Sequence, residues 1–346
     1  AHYASFDLLF AISEATRRDL IEHLGIDPDR VINISAAVDS RFRHLRDAER
    51  YRDAIARKLK LTQPFILYTG GADHRKNLHG AIEAFSRLPD DVRSSRKLAI
   101  VCRMDRTTEA SLLEHARQCG LDPSALVLTG YVSDDDLVLL YNLAELFIFP
   151  SVYEGFGLPL LEAMACGTPV LAGNNSSLPE VVGREDLLFD AGNPQLMAAK
   201  IAKTLGDRDR LAELRAYSLA RAREFSWEKS AELVYNAFVQ RIEERDRREA
   251  STRPRVAMTT PLPPARSGIS DYSADLLREL VKENDVDLFL ADHSLASPET
   301  SECAVRPVAE LAEAWPSFDT VVYQMGNSTF HTEMLSLLPE SGGIMV

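Results

Sequence analysis

The 346-residue sequence is poor in cysteine, and its four cysteines are scattered. Cys102, Cys119, Cys166 and Cys303 form no CxxC motif and no metal-ligand spacing. Cys102 and Cys166 sit in apolar runs, where buried free thiols are common. This cysteine usage predicts free thiols in a reducing compartment.

Long apolar runs and a secretory signal are also missing. The nearest approach to a membrane span, residues 137–149, is interrupted by Asn142 and Glu145. It falls short of the roughly 18 apolar residues that a spanning helix needs, and it reads better as a helix followed by a strand. The chain starts without Met, within what reads as a folded segment, so we expect it to be part of a longer protein.

Positive charge is scarce. The 39 Lys and Arg residues are outnumbered by 52 Asp and Glu residues, which gives a formal net charge of -13. A chain this acidic is a poor general binder of nucleic acid or anionic lipid. We therefore expect no nucleic-acid partner, and any phosphate that the protein binds must be held by a local cluster of donors.

Several catalytic signatures are absent as well. No Walker motif, HExxH or GxSxG occurs, and residues 154–157 (EGFG) lack the third glycine of a dinucleotide fingerprint. The run Asp134-Asp135-Asp136 matches the DxD signature of metal-dependent sugar transfer. Because it follows the predicted helix cap Ser133, its carboxylates are better explained as partners of the helix dipole. We therefore expect no metal site.

What the sequence does contain is a regular alternation of strands and helices. Short apolar runs are predicted as strands at 65–70, 97–102, 125–130, 146–151, 169–173 and 186–190. The alternation predicts an α/β fold with a doubly wound parallel sheet and right-handed crossovers. The strands are almost continuously apolar, as expected when helices cover both faces of the sheet.

The two ends of the chain read as incomplete units. Residues 1–42 form a strand-helix-strand pattern, too small to bury a core alone, and we expect its partner strands to be absent from this chain. Residues 255–346 begin another α/β unit. Between the ends we predict a complete lobe at 43–240, with its core at 61–235, and a charged linker at 241–254.

A first candidate site follows the strand at 65–70. Gly70 and Gly71 allow a tight turn and a close approach of the backbone to a ligand. Arg75 and Lys76 then stand at the start of the helix that Asn77 opens. Two cations at a helix N-terminus favour an anion, although a solvated basic turn explains the same residues.

A second candidate site follows the strand at 146–151. Gly155 and Gly157 let the loop offer backbone N–H groups, and the helix that follows directs its N-terminus to the same sheet edge. Glu154 in the loop and Glu162 in the helix suit pairs of sugar hydroxyls. Two surface glutamates are the alternative, which the apolar neighbours of Glu162 weaken.

A third polar cluster, Asn174 to Ser177, follows the strand at 169–173. Loop chemistry alone accounts for these residues, and we assign them no role.

Taken in order, these segments resemble the C-terminal lobe of family 4 glycosyltransferases, which are retaining enzymes of the GT-B fold. The resemblance covers most of residues 60–235, and Glu154 and Glu162 match the family's E-x7-E motif. Residues 1–42 resemble the end of that enzyme's N-terminal lobe, and residues 255–346 resemble the beginning of a second such lobe. The chain is thus similar to the middle of a tandem bacterial mannosyltransferase of surface polysaccharide assembly.

The resemblance implies a role for each matching residue. Lys76, supported by Arg75, would bind the donor diphosphate. Glu154 would be the catalytic residue at the donor sugar, and Glu162 would bind the ribose. The other residues implied in donor binding are Gly70, Gly71, Gly155, Phe156, Gly157 and Leu158, and Gly268 would lie beside the donor phosphate of the second unit. Many family members have Arg where this chain has Gly71.

The implied reaction transfers a sugar from a nucleoside diphosphate to a glycan or lipid-linked acceptor with retention, and needs no cofactor. GDP-mannose is the favoured donor. The implied location is the cytoplasm, with peripheral association at the inner face of the cell membrane left open. A nucleotide-sugar-binding module without transfer activity and a sugar-nucleotide epimerase remain as alternatives. We expect this chain alone to bind donor but to transfer sugar poorly.

Overall fold

The computed structural model describes residues 6–245, 253–260, 262, 268–290, 303–324 and 343–345. The chain forms two compact units. The central unit comprises residues 37–225, and the end-segment unit combines residues 1–36 with residues 226–346.

Strands and helices alternate along the described residues. The strands are β1 (Leu8–Ala11), β2 (Val31–Asn33), β3 (Phe65–Thr69), β4 (Lys97–Val101), β5 (Leu126–Leu128), β6 (Leu146–Phe149), β7 (Val170–Gly173), β8 (Leu188–Phe189), β9 (Arg255–Thr259), β10 (Asp285–Leu290), β11 (Ala304–Pro307), β12 (Thr320–Tyr323) and β13 (Ile344–Met345). The helices are α1 (Glu14–Leu24), α2 (Arg52–Leu59), α3 (Leu78–Ser86), α4 (Asp90–Ser94), α5 (Arg106–Gln118), α6 (Asp134–Leu143), α7 (Leu158–Ala165), α8 (Leu178–Val182), α9 (Pro194–Leu205), α10 (Arg208–Ala222), α11 (Trp227–Arg245), α12 (Gly268–Glu283) and α13 (Leu311–Ala314). No helix among these described residues is long and apolar enough to cross a membrane.

The central unit is built on one parallel sheet with the strand order β5-β4-β3-β6-β7-β8. Every residue of β3, β4, β6 and β7 is buried. Such strands are continuously apolar because helices cover both faces of the sheet. The predicted fold class and the six predicted strands are confirmed. The strand predicted at 186–190 is the shortest, because a 3-10 turn occupies Glu185–Leu187.

The order of the strands reverses between β3 and β6. From β3 the chain continues to β4 on one side, whereas β6 lies on the other side of β3. The loops that leave the carboxyl ends of these two neighbouring strands therefore run in opposite directions and open a crevice between them. The first two candidate sites of the sequence follow β3 and β6, so the fold places both at this crevice.

The acidic run at the start of α6 behaves as a helix terminus. The side chain of Ser133 accepts a hydrogen bond from the backbone N–H of Asp136 at 3.3 Å, which confirms the predicted cap. Arg41 forms an ion pair with Asp134, and Lys58 Nζ lies 2.5 Å from the carboxylate of Asp136. These carboxylates therefore complement the helix dipole and basic side chains of the same unit.

The end-segment unit also contains one parallel sheet, with the order β11-β10-β9-β12-β13-β1-β2. Leu8 and Leu9 of β1 pair with β13, and Leu9 also pairs with Val31 of β2. Our expectation that residues 1–42 lack their partner strands is therefore wrong. All four residues of β1 are buried, and β13 from the other end of the chain supplies the neighbouring strand that this burial requires.

The division between the units differs from the boundaries that we predicted at residues 43 and 240. Helix α11, which we placed in the central lobe, belongs to the end-segment unit. Within that unit Phe238 packs against Phe10 with 5.5 Å between ring centroids, and Trp227 packs against Tyr272 at 4.8 Å. These aromatic contacts explain why the helix groups with the end segments. The sequence pattern of residues 328–338 also predicts a helix, but these residues lie outside those that the structure describes.

Candidate functional site

The loop after β3 depends on its first glycine. Gly70 has a φ of +140°, and a Cβ atom there would lie 3.0 Å from the Tyr68 hydroxyl. That hydroxyl donates a hydrogen bond to the carbonyl oxygen of Gly71 at 2.7 Å. A side chain at residue 70 would strain the backbone and crowd this contact. The predicted tight turn is confirmed.

Lys76 and Glu154 meet across the crevice. Lys76 Nζ lies 2.7 and 2.9 Å from the two carboxylate oxygens of Glu154, and the two side chains are only 16% and 12% exposed. A shielded ion pair of this kind forms strong charge-assisted hydrogen bonds. The ammonium group has three hydrogens, so these bonds leave one for a further anionic group. The structure therefore brings together two predicted site residues from separate loops.

The Arg75 side chain, unlike that of Lys76, forms an ion pair within its own loop. Its Nε atom donates to the Asp73 carboxylate at 2.9 Å, and its side chain is 39% exposed. Its carbonyl oxygen accepts a hydrogen bond from the backbone of Val152 at 2.8 Å. The backbone of Arg75 thus joins the loop after β3 to the loop after β6, while its predicted support of the diphosphate stays a prediction.

The loop that carries Glu154 is held by the third polar cluster. The backbone N–H of Glu154 donates to Ser176 Oγ at 2.8 Å. Ser177 Oγ lies 3.0 and 2.8 Å from the carbonyl oxygens of Glu154 and Phe156. Because this loop follows β7, the strand beside β6, its hydroxyls reach the neighbouring loop. The hydrogen bonds of these serines are structural, as an explanation by loop chemistry alone implies, but they hold the neighbouring loop, which we did not predict.

The glycine-rich turn leads directly into α7. Gly157 has a φ of +105°, and a Cβ atom there would lie 2.8 Å from Leu178 Cδ2. The ring of Phe156 is buried and packs against Phe225 at 5.8 Å, so only its backbone remains for a ligand. Leu158 is the first residue of the helix. The N-terminus of α7 therefore lies at the crevice, where its N–H groups favour an anion.

Glu162 is held by a buried tyrosine that the sequence analysis did not single out as functional. Tyr141 Oη donates to Glu162 Oε2 at 2.7 Å and lies 2.5 Å from Thr69 Oγ1. Burial raises the pKa of Glu162 to about 7, against the opposing effect of the Tyr141 hydrogen bond. The only sequence signal was a tyrosine among leucines in α6, because the hydroxyl of a buried tyrosine must find a partner.

Asn77 connects three of the loops at the crevice. It has a φ of +54°, and its Nδ2 atom donates to the carbonyl oxygens of Pro150 at 3.2 Å and Ala191 at 2.7 Å. These carbonyls belong to the loops that follow β6 and β8. Asn77 therefore fixes the loop of Lys76 against its neighbours.

Gly268 lies in the end-segment unit, where it is the first residue of α12. Residues 263–267 before it lie outside the described residues. Its predicted place beside a donor phosphate stays a prediction.

Comparison with known proteins agrees with these features. A family model described as "Glycosyl transferases group 1" matches residues 51–223. The serotype-specific mannosyltransferase WbdA of Escherichia coli is 37% identical over 243 residues, which cover 70% of this chain and 30% of WbdA. The O-antigen chain mannosyltransferase B of Escherichia coli is 34% identical over 235 residues, covering 68% of this chain and 61% of the relative. This chain therefore spans less than two thirds of the length of either relative.

The fold agrees with a solved structure as well. The crystal structure of Anabaena Alr3699/HepE in complex with UDP and glucose superposes with a TM-score of 0.58 at 19% identity, covering 67% of this chain and 63% of that chain. The predicted GT-B type of fold is thereby confirmed. The family match extends over the sheet, the crevice and both glutamates of the central unit. The chain therefore belongs to the group 1 glycosyl transferase family.

Proposed function

We propose that this chain is the donor-binding part of a retaining mannosyltransferase of surface polysaccharide synthesis, and that its donor is GDP-mannose. The relatives that span 70% and 68% of this chain are a serotype-specific mannosyltransferase and an O-antigen chain mannosyltransferase. Their names support the sugar and the type of product. The acceptor is a glycan or a lipid-linked glycan, and the place of action is the cytoplasmic face of the cell membrane.

The contact between Lys76 and Glu154 at the β3–β6 crevice carries this proposal. A nucleoside-diphosphate sugar needs cations or N–H groups at its phosphates and acceptors at its sugar and ribose hydroxyls. Lys76 and the N-terminus of α7 supply the first requirement. Glu154 and Glu162 supply the second from two different elements. Both sets of groups lie at the topological switch point, where doubly wound sheets bind nucleotides.

The same groups suit the chemistry of transfer. The bond between the anomeric carbon and the diphosphate breaks with its electron pair on the phosphate oxygen, and an acceptor hydroxyl forms the new bond on the same face of the sugar. The hydroxyl proton passes to the departing diphosphate. Lys76, the α7 dipole and Arg75 stabilise the negative charge that develops on the diphosphate, which is the role that metal ions play in other transferases.

Calorimetry with the whole chain tests donor binding. GDP and GDP-mannose are titrated beside UDP and UDP-glucose, and we expect the guanosine ligands to bind more tightly. Tighter binding of the uridine ligands would overturn the assignment of the donor. Glu162→Ala should weaken both GDP and guanosine, since both contain the ribose. Glu145→Ala is the matched control, because Glu145 pairs with Arg96 at 2.7 Å and takes no part in the proposed site.

Product analysis separates transfer from its alternatives. GDP-mannose labelled in the sugar is incubated with mannose oligosaccharides, and the anomeric configuration of the new linkage is read by NMR. A labelled α-linked product from the α-linked donor supports retaining transfer. Binding without product would favour a nucleotide-sugar-binding module, and a changed sugar still attached to the nucleotide would favour an epimerase.

A further inference from the structure

A chain of hydrogen bonds links the end of β3 to Glu162. An ionised carboxylate only accepts hydrogen bonds, so Tyr141 Oη donates to Glu162 Oε2 at 2.7 Å. The tyrosine oxygen then accepts from Thr69 Oγ1 at 2.5 Å. Thr69 is 4% exposed and Tyr141 is fully buried, so these hydroxyls are shielded from water. We call this arrangement the Thr69–Tyr141–Glu162 chain.

Packing and a backbone hydrogen bond hold Tyr141, the middle residue of the Thr69–Tyr141–Glu162 chain, in place. The Tyr141 ring packs edge-on against Phe42 at 5.8 Å and against Phe147 at 5.6 Å. Its carbonyl oxygen accepts a hydrogen bond from Thr168 Oγ1 at 2.5 Å. Because ring and backbone are both fixed, the hydroxyl occupies one position. A glutamate on a helix otherwise has several rotamers to lose when it binds a ligand.

We propose that Tyr141 is a positioning residue of the donor site, which holds Glu162 in one orientation and as a carboxylate for the ribose hydroxyls. The proposal rests on the proposed function, in which Glu162 meets the ribose. Thr69 directly precedes the Gly70 turn. The Thr69–Tyr141–Glu162 chain therefore also connects the Glu162 carboxylate to the loop that carries Lys76. Preorganisation of this kind is how a binding group is held within a fraction of an ångström of its working geometry.

The charges around Glu162 make its ionisation sensitive to the Tyr141 hydroxyl. Burial raises the pKa of Glu162 to about 7, the Tyr141 hydrogen bond lowers it, Asp134 and Asp39 raise it, and Arg41 lowers it. Cys166 also lies close, and burial raises the pKa of its thiol to about 12, which keeps it neutral near pH 7. Loss of the Tyr141 hydrogen bond therefore raises the pKa of Glu162 and leaves less carboxylate at neutral pH.

The decisive variant is Tyr141→Phe, which removes one oxygen and keeps the ring. The carboxyl of Glu162 is titrated by carbon-13 NMR in the ligand-free chain, with Glu162→Gln to assign its signal. We expect the midpoint pH of the Glu162 titration to be higher in this variant than in the wild type. Calorimetry at about pH 7 should show GDP binding about threefold to tenfold weaker, with most of the loss recovered at higher pH. Binding of inorganic pyrophosphate, which lacks a ribose, should stay unchanged.

Two further variants complete the test. Thr69→Val removes the donor to the tyrosine oxygen, and we expect a smaller rise in the same midpoint because coupled hydrogen bonds strengthen one another. Tyr217→Phe is the matched control. It deletes a tyrosine hydrogen bond of 2.7 Å, to the carbonyl oxygen of Val182, in the same unit. We expect it to change neither the midpoint nor GDP binding.

The outcomes are distinct. An unchanged midpoint and unchanged GDP affinity in Tyr141→Phe would overturn the proposal. Equal weakening of GDP and pyrophosphate would also overturn it, because that pattern indicates a merely structural role. Failure of the proposed function looks different: the wild-type chain would bind no nucleoside diphosphate, although the midpoint still rose in Tyr141→Phe. That result would remove Tyr141 from donor binding together with Glu162.

Discussion

The sheets of the two units have the same order of strands around their switch points but differ in the polar groups there. In the central unit Thr69 ends β3, and its buried hydroxyl meets Tyr141. In the end-segment unit the corresponding strands are β9 and β12, which also lie side by side where the strand order reverses. There Thr259 Oγ1 and Gln324 Oε1 are buried, and neither has a hydrogen-bond partner among the described residues.

Sheet topology therefore supplies a crevice but not a site. Both sheets open at a switch point, as doubly wound sheets do. Only the central unit adds a shielded ion pair, paired serines and an ordered glutamate around its crevice in the residues that the structure describes. Function is therefore assigned from these side chains and not from the fold.

The largest effect should follow from unfolding the end-segment unit alone. Leu9 is 1% exposed in β1, between β2 and β13. Leu9→Asp places a charge there without a partner, and we expect a loss of about 3–5 kcal/mol in the free energy of unfolding of the end-segment unit. GDP affinity should change little, because the residues of the proposed donor site at the β3–β6 crevice all belong to the central unit.

Chemical denaturation followed by tryptophan fluorescence measures this effect, since Trp227 and Trp315 both belong to the end-segment unit. Leu9→Val is the conservative control. A parallel loss of GDP binding in Leu9→Asp would show that the donor site depends on both units.

The next largest effect should come from Lys76. Lys76→Ala removes a charge-assisted contact to the diphosphate and should weaken GDP binding by about 1.5–3 kcal/mol, while guanosine binding changes little. Lys58→Ala is the matched control, because Lys58 also forms an ion pair with a carboxylate of the central unit. If both variants weaken GDP binding equally, Lys76 has no special role at the phosphates.

Substitution of Glu154 should lower the turnover number more than it lowers the affinity for GDP. Glu154→Gln keeps the shape of the side chain but removes the charge that faces Lys76. In a transfer-competent form of the protein we expect at least about a tenfold loss of kcat, because the sugar is bound less well in the transition state. GDP affinity should stay within about threefold, as GDP has no transferred sugar. Wild-type turnover would remove Glu154 from the reaction.

Much of the fold and part of the site could be predicted from sequence. The alternation of strand and helix patterns located β3 and β6. The loops after these strands carry Lys76 and Glu154, which form an ion pair in the structure. Parallel topology brings the ends of such strands to one edge, so position along the chain was enough. The pairing of β1 with β13 could not be predicted, because nothing local in a buried apolar strand specifies which distant strand lies beside it.

The supporting contacts escaped prediction for a similar reason. Tyr141, Ser177 and Asn77 act through hydrogen bonds to residues that lie 21 to 114 positions away in the sequence. Their residue types are common in helices and loops of any function. Only the register of neighbouring strands decides which loop each hydroxyl or amide reaches.

A smaller effect should appear as pH changes. The raised pKa of Glu162, about 7, means that the carboxylate is lost as the pH falls through this value. Affinity for GDP-mannose should therefore increase between about pH 6 and pH 8 and then level off, by up to about tenfold. The diphosphate of this ligand is doubly esterified and does not titrate in that range. Glu162→Gln should bind more weakly and show a flat profile, and a sloping profile in that variant would assign the pH dependence to another group.

The smallest effect concerns Gly71 in the loop after β3, where many members of the resembling family have Arg. Gly71 is exposed, and the Cβ atom of a side chain there would lie 3.3 Å from an Asp73 oxygen and 3.6 Å from Lys76 Cε. Its backbone needs no positive φ, so an arginine should fit with a small shift of the Asp73 side chain. Its guanidinium would bring a new cation close to Lys76. Because an exposed charge is screened by water and salt, we expect GDP affinity to rise only about threefold at low salt. Gly71→Gln is the neutral control of similar length, and a gain of the same size in that variant would mean that packing rather than charge improves binding.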